Sequence, residues 1–284
     1  MKKSLILLSM IALLMLSAAF AYSDLNGENE IYRIPVDNLT NLGVLNGFPD
    51  GEFKPGNTVT KVEYAKMIVT LNGLSELAEG NVSVAPYDDV PTDYSYAGYI
   101  KVAKEHNLIY DDGTGYFNPE DDITYQEIFY SVLYNLGYKQ ELDESEQGYP
   151  TAGMLKAVDL ELTDDLVGQI AGQGYATRGN IAIIFWNALR TQVKGQNYLL
   201  INQLFPDAYY FDNYYIDSVE VQDYDNVLVY FSDGYGSEIT AYAEDVDLTQ
   251  LLENEKVDIF TYGFKNDLKV IREYIQRIKL YQAL

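Results

Sequence analysis

Cysteine is absent from this 284-residue sequence, and histidine occurs once, as His106. Without thiols there is no disulfide framework, and one imidazole with no sulfur ligand beside it excludes the usual structural zinc sites. Basic side chains are scarce as well: 19 Lys and Arg stand against 43 Asp and Glu, for a formal net charge of -24. Nucleic acid is held chiefly by Lys and Arg, so a surface this acidic with no segregated basic patch excludes a phosphate-backbone binder. The marks of catalysis are missing too. No Gly-x-Ser-x-Gly, no His-Glu-x-x-His and no cysteine nucleophile occurs, and the abundant carboxylates single out no pair for glycoside hydrolysis. Asp111-x-Gly113-x-Gly115 and Asp223-x-Asp225-x-Val227 both fail the calcium-loop pattern of alternating oxygen ligands with glycine at the sixth position. The expectation is a non-catalytic protein with no cofactor, no metal site and no nucleic-acid partner.

What is present begins with 48% hydrophobic and 14% aromatic residues, enough to bury cores despite the charge. Lys2 and Lys3 followed by the apolar stretch Leu5 to Leu16 and by Ala19-Phe20-Ala21 read as a secretory signal peptide over residues 1–21. Its removal would leave 17 basic and 43 acidic side chains. The protein is expected to be secreted.

The strongest internal signal is a repeat. Phe53, Pro55, Thr60 and Glu63 recur as Phe117, Pro119, Thr124 and Glu127, each displaced by 64 residues. Val44-Leu45 matches Leu108-Ile109 at the same displacement, and Tyr22-x-Asp24 matches Tyr87-x-Asp89 with a slip of one. A weaker third copy runs from about Gly153 through Ala157, Leu160 and Leu162 to Thr177-Arg178, without the Phe and Pro of the loop. Such periodicity means units that stack to share a core.

Each copy has a physical logic. Leu39-x-x-Leu42-x-Val44-Leu45 is helical in period and predicts a helix that stops at Asn46-Gly47. Pro49-Asp50-Gly51 and Pro55-Gly56-Asn57 are turns, with Phe53 tucked beneath them. Thr60 sits where an N-cap belongs and Glu63 completes a capping box, as Thr124 and Glu127 do in the second copy. The unit is therefore helix, ordered loop, capped helix, and the three capped helices should pack as one bundle.

At Gly43-Val44-Leu45-Asn46-Gly47-Phe48-Pro49-Asp50-Gly51-Glu52-Phe53-Lys54-Pro55 and on through Thr60-Lys61-Val62-Glu63, the chain resembles the S-layer homology (SLH) domain, best known for its Thr-Arg-Ala-Glu motif. The resemblance spans 22 to about 195 as repeats over 22–78, 79–140 and, degenerate, 141–204. It implies a pseudo-threefold helical assembly with carbohydrate-binding grooves between neighbours, on a protein held at the bacterial cell surface through a secondary cell wall polysaccharide bearing acidic, often pyruvylated, sugars. Other surface-layer proteins are the alternative partners, in an assembly role.

Where the family has the arginine of its motif this chain has Lys61 and Tyr125, and only Arg178 keeps it, with Asn180 replacing the glutamate. Arg offers a planar fork to a carboxylate and Lys a point charge. A basic residue at a helix start opposes the dipole, which points to an external anion or a local carboxylate partner. The glycan-binding set that the resemblance implies is Lys61, Arg178, Asp24, Asp89, Gly47, Tyr94 and Tyr96. Asp24 and Asp89 are alternatively organisers of their loops, and Thr60, Glu63, Thr124 and Glu127 are structural caps.

From Phe205 the repeat vanishes and period-2 patterning takes over. Strands are expected over 216–221, 227–231, 238–243, 257–262 and 268–275, with a helical turn at 247–252, as a small β-barrel of OB or SH3-like type over 205–284. The Tyr-rich run Tyr209 to Tyr215 is either a sugar-stacking platform or packing between domains. The fold class is thus α+β and multi-domain, a helical repeat assembly followed by a β-rich unit.

Overall fold

The computed structural model describes residues 22–206, 208–221, 227–232, 238–243 and 256–262. The expected signal peptide, the helical turn at 247–252 and the fifth strand lie outside them. The helical part opens with a 3-10 turn, Gly27–Tyr32, and continues as α1 (Arg33–Asn41), α2 (Lys61–Leu71), α3 (Ser75–Ala78), α4 (Ala97–Glu105), α5 (Tyr125–Asn135), α6 (Lys139–Asp143), α7 (Thr151–Asp159), α8 (Arg178–Leu189) and α9 (Leu200–Leu204).

In each copy a first helix (α1, α4 or α7) leads through a loop to a longer Thr-capped helix (α2, α5 or α8). The first helix does not run to Asn46-Gly47 as its apolar period predicts. It ends at Asn41, and Gly43 turns the chain with φ 73, as Asn107 and Glu161 do in the other copies with φ 54 and 58. The next amide then reaches back five residues: Val44 to Leu39 O at 2.8 Å, Leu108 to Ala103 O at 2.8 Å, and Leu162 to Ala157 O at 2.9 Å. Val44 and Leu45 are buried because a residue beyond this kind of stop packs back on the last turn. A helical period and a Schellman stop bury the same residues, so the pattern alone placed the boundary too late.

The capped helices meet at Tyr64 of α2. Its hydroxyl donates to Ser131 Oγ of α5 at 2.7 Å, and its ring lies 5.8 Å from that of Phe185 on α8. Every residue of α8 from Gly179 to Leu189 is buried, so this helix is the centre around which the others are laid. Gly179 is needed for close approach: a Cβ there would fall 2.5 Å from the Tyr32 ring and 2.9 Å from Pro55.

The copies are joined through helix N-termini, whose first amides have no partner within their own helix. Lys61 and Val62 donate to Asp121 O and Pro119 O of the second copy at 2.8 and 3.0 Å. Tyr125 and Gln126 donate to Gly174 O and Gly172 O of the third at 3.0 and 2.9 Å, and Arg178 and Gly179 return to Asn57 O and Pro55 O of the first, both at 2.9 Å. Antiparallel bridges Thr60 with Asp122, Thr124 with Tyr175, and Thr58 with Thr177 flank these bonds. The three contacts close a cycle.

After α9 the chain enters β1 (Ala208–Val221), then β2 (Val227–Ser232), β3 (Glu238–Ala243) and β4 (Lys256–Tyr262), an antiparallel sheet in the order β3-β2-β1-β4. The expected barrel is not supported. β1 pairs with β4 along its first half and with β2 along its second, with an irregularity in each ladder, and β3 and β4 are the outer strands, unpaired with each other among the described residues. Period 2 identifies strands, but closure depends on pairing partners that the pattern does not carry. The Tyr-rich run belongs to β1, where Tyr209 to Phe211 and Tyr214 pair with β4.

Asp37 on α1 is half-buried, and burial outweighs the nearby Arg33 to push its carboxyl up to about 6. A carboxyl whose pKa is raised by folding binds its proton more tightly in the native state, so stability falls as pH climbs from the usual carboxylate range through about 6 and is flat above it. Asp37→Asn should raise stability at neutral pH by about 1–3 kcal/mol and have no such effect below about pH 4. Denaturant unfolding at both pH values checks this; a stabilisation independent of pH would contradict it.

Candidate functional site

The loop of each of the first two copies is held by one carboxylate. Asp24 accepts from the amides of Phe53 and Lys54 at 2.8 and 2.7 Å, and Asp89 from those of Phe117 and Asn118 at 2.9 and 2.7 Å. Lys54 and Asn118 have φ of 58 and 54, and the carboxylates pin these left-handed residues in place. Beneath them Tyr22 packs on Phe53 and Tyr87 on Phe117, with ring centroids 5.6 and 5.4 Å apart. Gly47 passes so close to Tyr22 that a Cβ would lie 2.1 Å from its Cε1. In this geometry Asp24, Asp89 and Gly47 shape the loops, with both oxygens of each aspartate engaged by backbone.

The residue after each threonine cap reaches across a junction toward the neighbouring copy, and the three junctions differ. At the first, Lys61 Nζ lies 2.7 Å from Glu127 Oε1, with both side chains about four-fifths buried. Glu127 Oε2 meanwhile accepts from the Thr124 amide at 2.9 Å and its hydroxyl at 2.6 Å. One carboxylate therefore caps its own helix and neutralises its neighbour's lysine.

At the second junction the two departures from the family motif face each other. Asn180 donates from Nδ2 to the Tyr125 hydroxyl at 2.7 Å and to Val167 O at 2.9 Å, while its Oδ1 accepts from the Val167 amide at 3.0 Å. Tyr125 and Asn180 are both buried, which seals this junction with neutral groups. A phenol in place of the basic residue is matched by an amide in place of the carboxylate.

At the third, Arg178 donates from Nε to Phe53 O and from Nη2 to Asn46 O, both at 3.0 Å, with its guanidinium over the rings of Phe48 and Phe53 at 4.9 and 4.6 Å. Burial lowers its pKa, opposed chiefly by the charge of Glu63. The fork expected for a sugar carboxylate has two donors engaged by backbone carbonyls.

An open cavity of ≈ 280 Å³ stands at the first junction, lined by Lys61 and Glu127, by Asp111, Asp112, Tyr116 and Phe117 of the second loop, and by Tyr87, Tyr110 and Tyr149. Tyr110 and Tyr149 stack at 4.0 Å with an interplanar angle of 4°. Tyr94 and Tyr96 do not line it. The Tyr94 hydroxyl donates to Glu120 at 2.7 Å, and Tyr96 lies under the Lys66 ammonium with Tyr99. His106 is the exposed C-cap of α4. Among the described residues no group of acidic or histidine side chains is arranged to hold a metal ion.

Residues 21–65 and 86–129 match the S-layer homology domain. The chain carries S-layer homology domains. Among its relatives are a middle cell wall protein of Brevibacillus brevis, 28% identical over 162 residues (57% of this chain, 15% of that protein), and a cell surface protein of Thermoanaerobacter kivui, 30% identical over 159 (56% and 20%). A cellulosome-anchoring protein of Acetivibrio thermocellus is 32% identical over 133 residues (46% and 29%). The matched stretch spans less than a third of each of these relatives. The S-layer homology domains place the chain at the cell wall or cell surface.

Sequence reasoning missed Tyr87, Tyr110, Tyr116 and Tyr149 as parts of one S-layer homology junction. Tyr87 and Tyr116 were within reach, since they belong to the loop that repeats Tyr22 to Phe53. Tyr149 comes from the segment before α7 and carries no motif. Because Glu127 serves both its cap and Lys61 whereas Glu63 holds chiefly its own cap, Glu127→Ala should cost about 0.5–1 kcal/mol more than Glu63→Ala. Thr60→Ala should itself cost about 0.5–2 kcal/mol. Equal losses at the two glutamates in chemical denaturation would contradict the linking role of Glu127.

Proposed function

We propose that the chain is a non-catalytic envelope anchor that binds cell-wall polysaccharide in the cleft between its first two S-layer homology copies. The observation that carries this reading is the difference among the junctions. One is bridged by Asn180 and Tyr125, one is clipped by Arg178 onto backbone carbonyls, and the Lys61–Glu127 junction holds an open cavity. The open cleft has the composition a pyranose requires: tyrosine rings to cover its apolar face and carboxylates to accept from its hydroxyls. Its volume, ≈ 280 Å³, suits a few sugar units rather than a long segment. Catalysis has no support in the cavity, whose charged groups are already paired or bonded to the loop.

A second reading, contact with other surface-layer proteins, is favoured by α7, where Leu155 and Val158 are 58% and 60% exposed one turn apart. Co-sedimentation with purified wall sacculi separates the two readings. The full chain should pellet with native sacculi and stay soluble once the secondary polymer is removed chemically. Tyr116→Ala, at a cavity residue that is 55% exposed, should weaken pelleting about tenfold, ~1.4 kcal/mol, with unchanged melting. Undiminished pelleting after polymer removal would contradict polysaccharide binding.

A further inference from the structure

The charges around the open cavity specify more than the presence of a sugar. Its lining contains three carboxylates, Asp111, Asp112 and Glu127, against one ammonium, Lys61. That ammonium is already paired with Glu127 at 2.7 Å. Lys104, the other cation beside the cavity, is engaged on every side: Nζ lies 3.4 Å from Asp111 Oδ2, donates to Pro86 O at 2.9 Å and sits 3.7 Å from the centre of the Tyr87 ring. Among the described residues lining or flanking this cavity, no cation is left over for an anionic ligand.

The Lys61–Glu127 pair is hard to open. Releasing Lys61 toward a ligand carboxylate would leave Glu127, about four-fifths buried, without its counter-charge while it still holds the cap of α5 through Oε2, and an unpaired charge of this kind is costly. A sugar carboxylate would also approach Asp111 and Asp112. Asp112 is held ionised, its pKa lowered chiefly by the hydroxyl and amide of Thr114 with Lys61 a smaller contributor. At this spacing like charges repel, and exclusion of the water between them strengthens the repulsion.

The same cavity suits an uncharged pyranose. The stacked pair Tyr110 and Tyr149 gives an aromatic wall. Tyr87, 5% exposed, lines the same cavity, and its pKa is raised by burial and by the neighbouring Asp111 carboxylate, so its phenol stays neutral beside a ligand. Asp111 and Asp112 accept from sugar hydroxyls without needing a positive charge.

Resting on the reading of this cleft as a polysaccharide site, we infer that it takes an uncharged sugar residue and discriminates against a carboxylate-bearing one. Lys61 sets that selectivity through its pairing with Glu127 and is not itself a carboxylate receptor.

N-acetylglucosamine and N-acetylmuramic acid share a ring and differ by a lactyl carboxylate, which makes them the probes. Titrated into the full chain and followed through the amides of 110–117 and 126–127 by NMR, N-acetylglucosamine should bind at least about tenfold more tightly than N-acetylmuramic acid. Its affinity should not change between low and high salt. Glu127→Gln keeps a capping box, since glutamine also fits that position, but frees the Lys61 charge, and should abolish or reverse the preference. Preference of the wild-type protein for N-acetylmuramic acid, or no response of these amides to either sugar, would overturn the inference. Under either result continued pelleting with native sacculi would leave the anchoring reading standing, whereas loss of that pelleting would remove the anchoring reading itself.

Discussion

The first two amides of each threonine-capped helix are bonded to carbonyls of another copy, and the helical part depends on that exchange. A helix start buried among protein must find acceptors for its leading N–H groups, and each one left unpaired would cost about 1–3 kcal/mol. Here the threonine serves the cap, with a glutamate in the first two copies and Asn180 in the third, while Lys61, Val62, Tyr125, Gln126, Arg178 and Gly179 turn to a neighbouring loop. No copy is complete alone. The constraint propagates backwards: the loop carbonyls must be held still, which is the work of Asp24 and Asp89 on the left-handed residues Lys54 and Asn118.

The same arrangement decides where chemistry can vary. Because the amide of the residue after each cap is committed to a neighbour, its side chain is carried to the junction whatever its identity. Lys61 there meets a carboxylate, Tyr125 an amide and Arg178 two carbonyls. Each substitution is answered by the group it faces, so packing is retained while charge and openness change. The result at the Lys61 junction is a cavity lined with tyrosine and carboxylate, while Tyr125 bonds to Asn180 and Arg178 to two carbonyls across the other two.

Much of this was legible in the sequence because it is local or repeats at a fixed displacement. Thr60 with Glu63 and Thr124 with Glu127 announce caps by spacing alone, and Tyr22-x-Asp24 repeating as Tyr87-x-Asp89 marks the loop staples. What escaped lies between copies. The second role of Glu127 needs the position of Lys61, 66 residues away, and the match of Tyr125 with Asn180 joins two changes that look like independent losses in one dimension. The helix boundary at Gly43 was hidden because Leu42, Val44 and Leu45 are buried by the stop itself. Sheet closure was overestimated because alternation fixes the faces of a strand and leaves its neighbours open.

Native-state hydrogen exchange at Lys61, Val62, Tyr125, Gln126, Arg178 and Gly179 tests the closed cycle most directly. If the copies complete one another, all six amides exchange only through a single cooperative opening, with the same free energy and the same denaturant dependence, although they lie in three different copies. Exchange of one junction's pair at a distinctly lower free energy than the other two, with the remaining four still protected, would show that the copies stand independently and contradict the account.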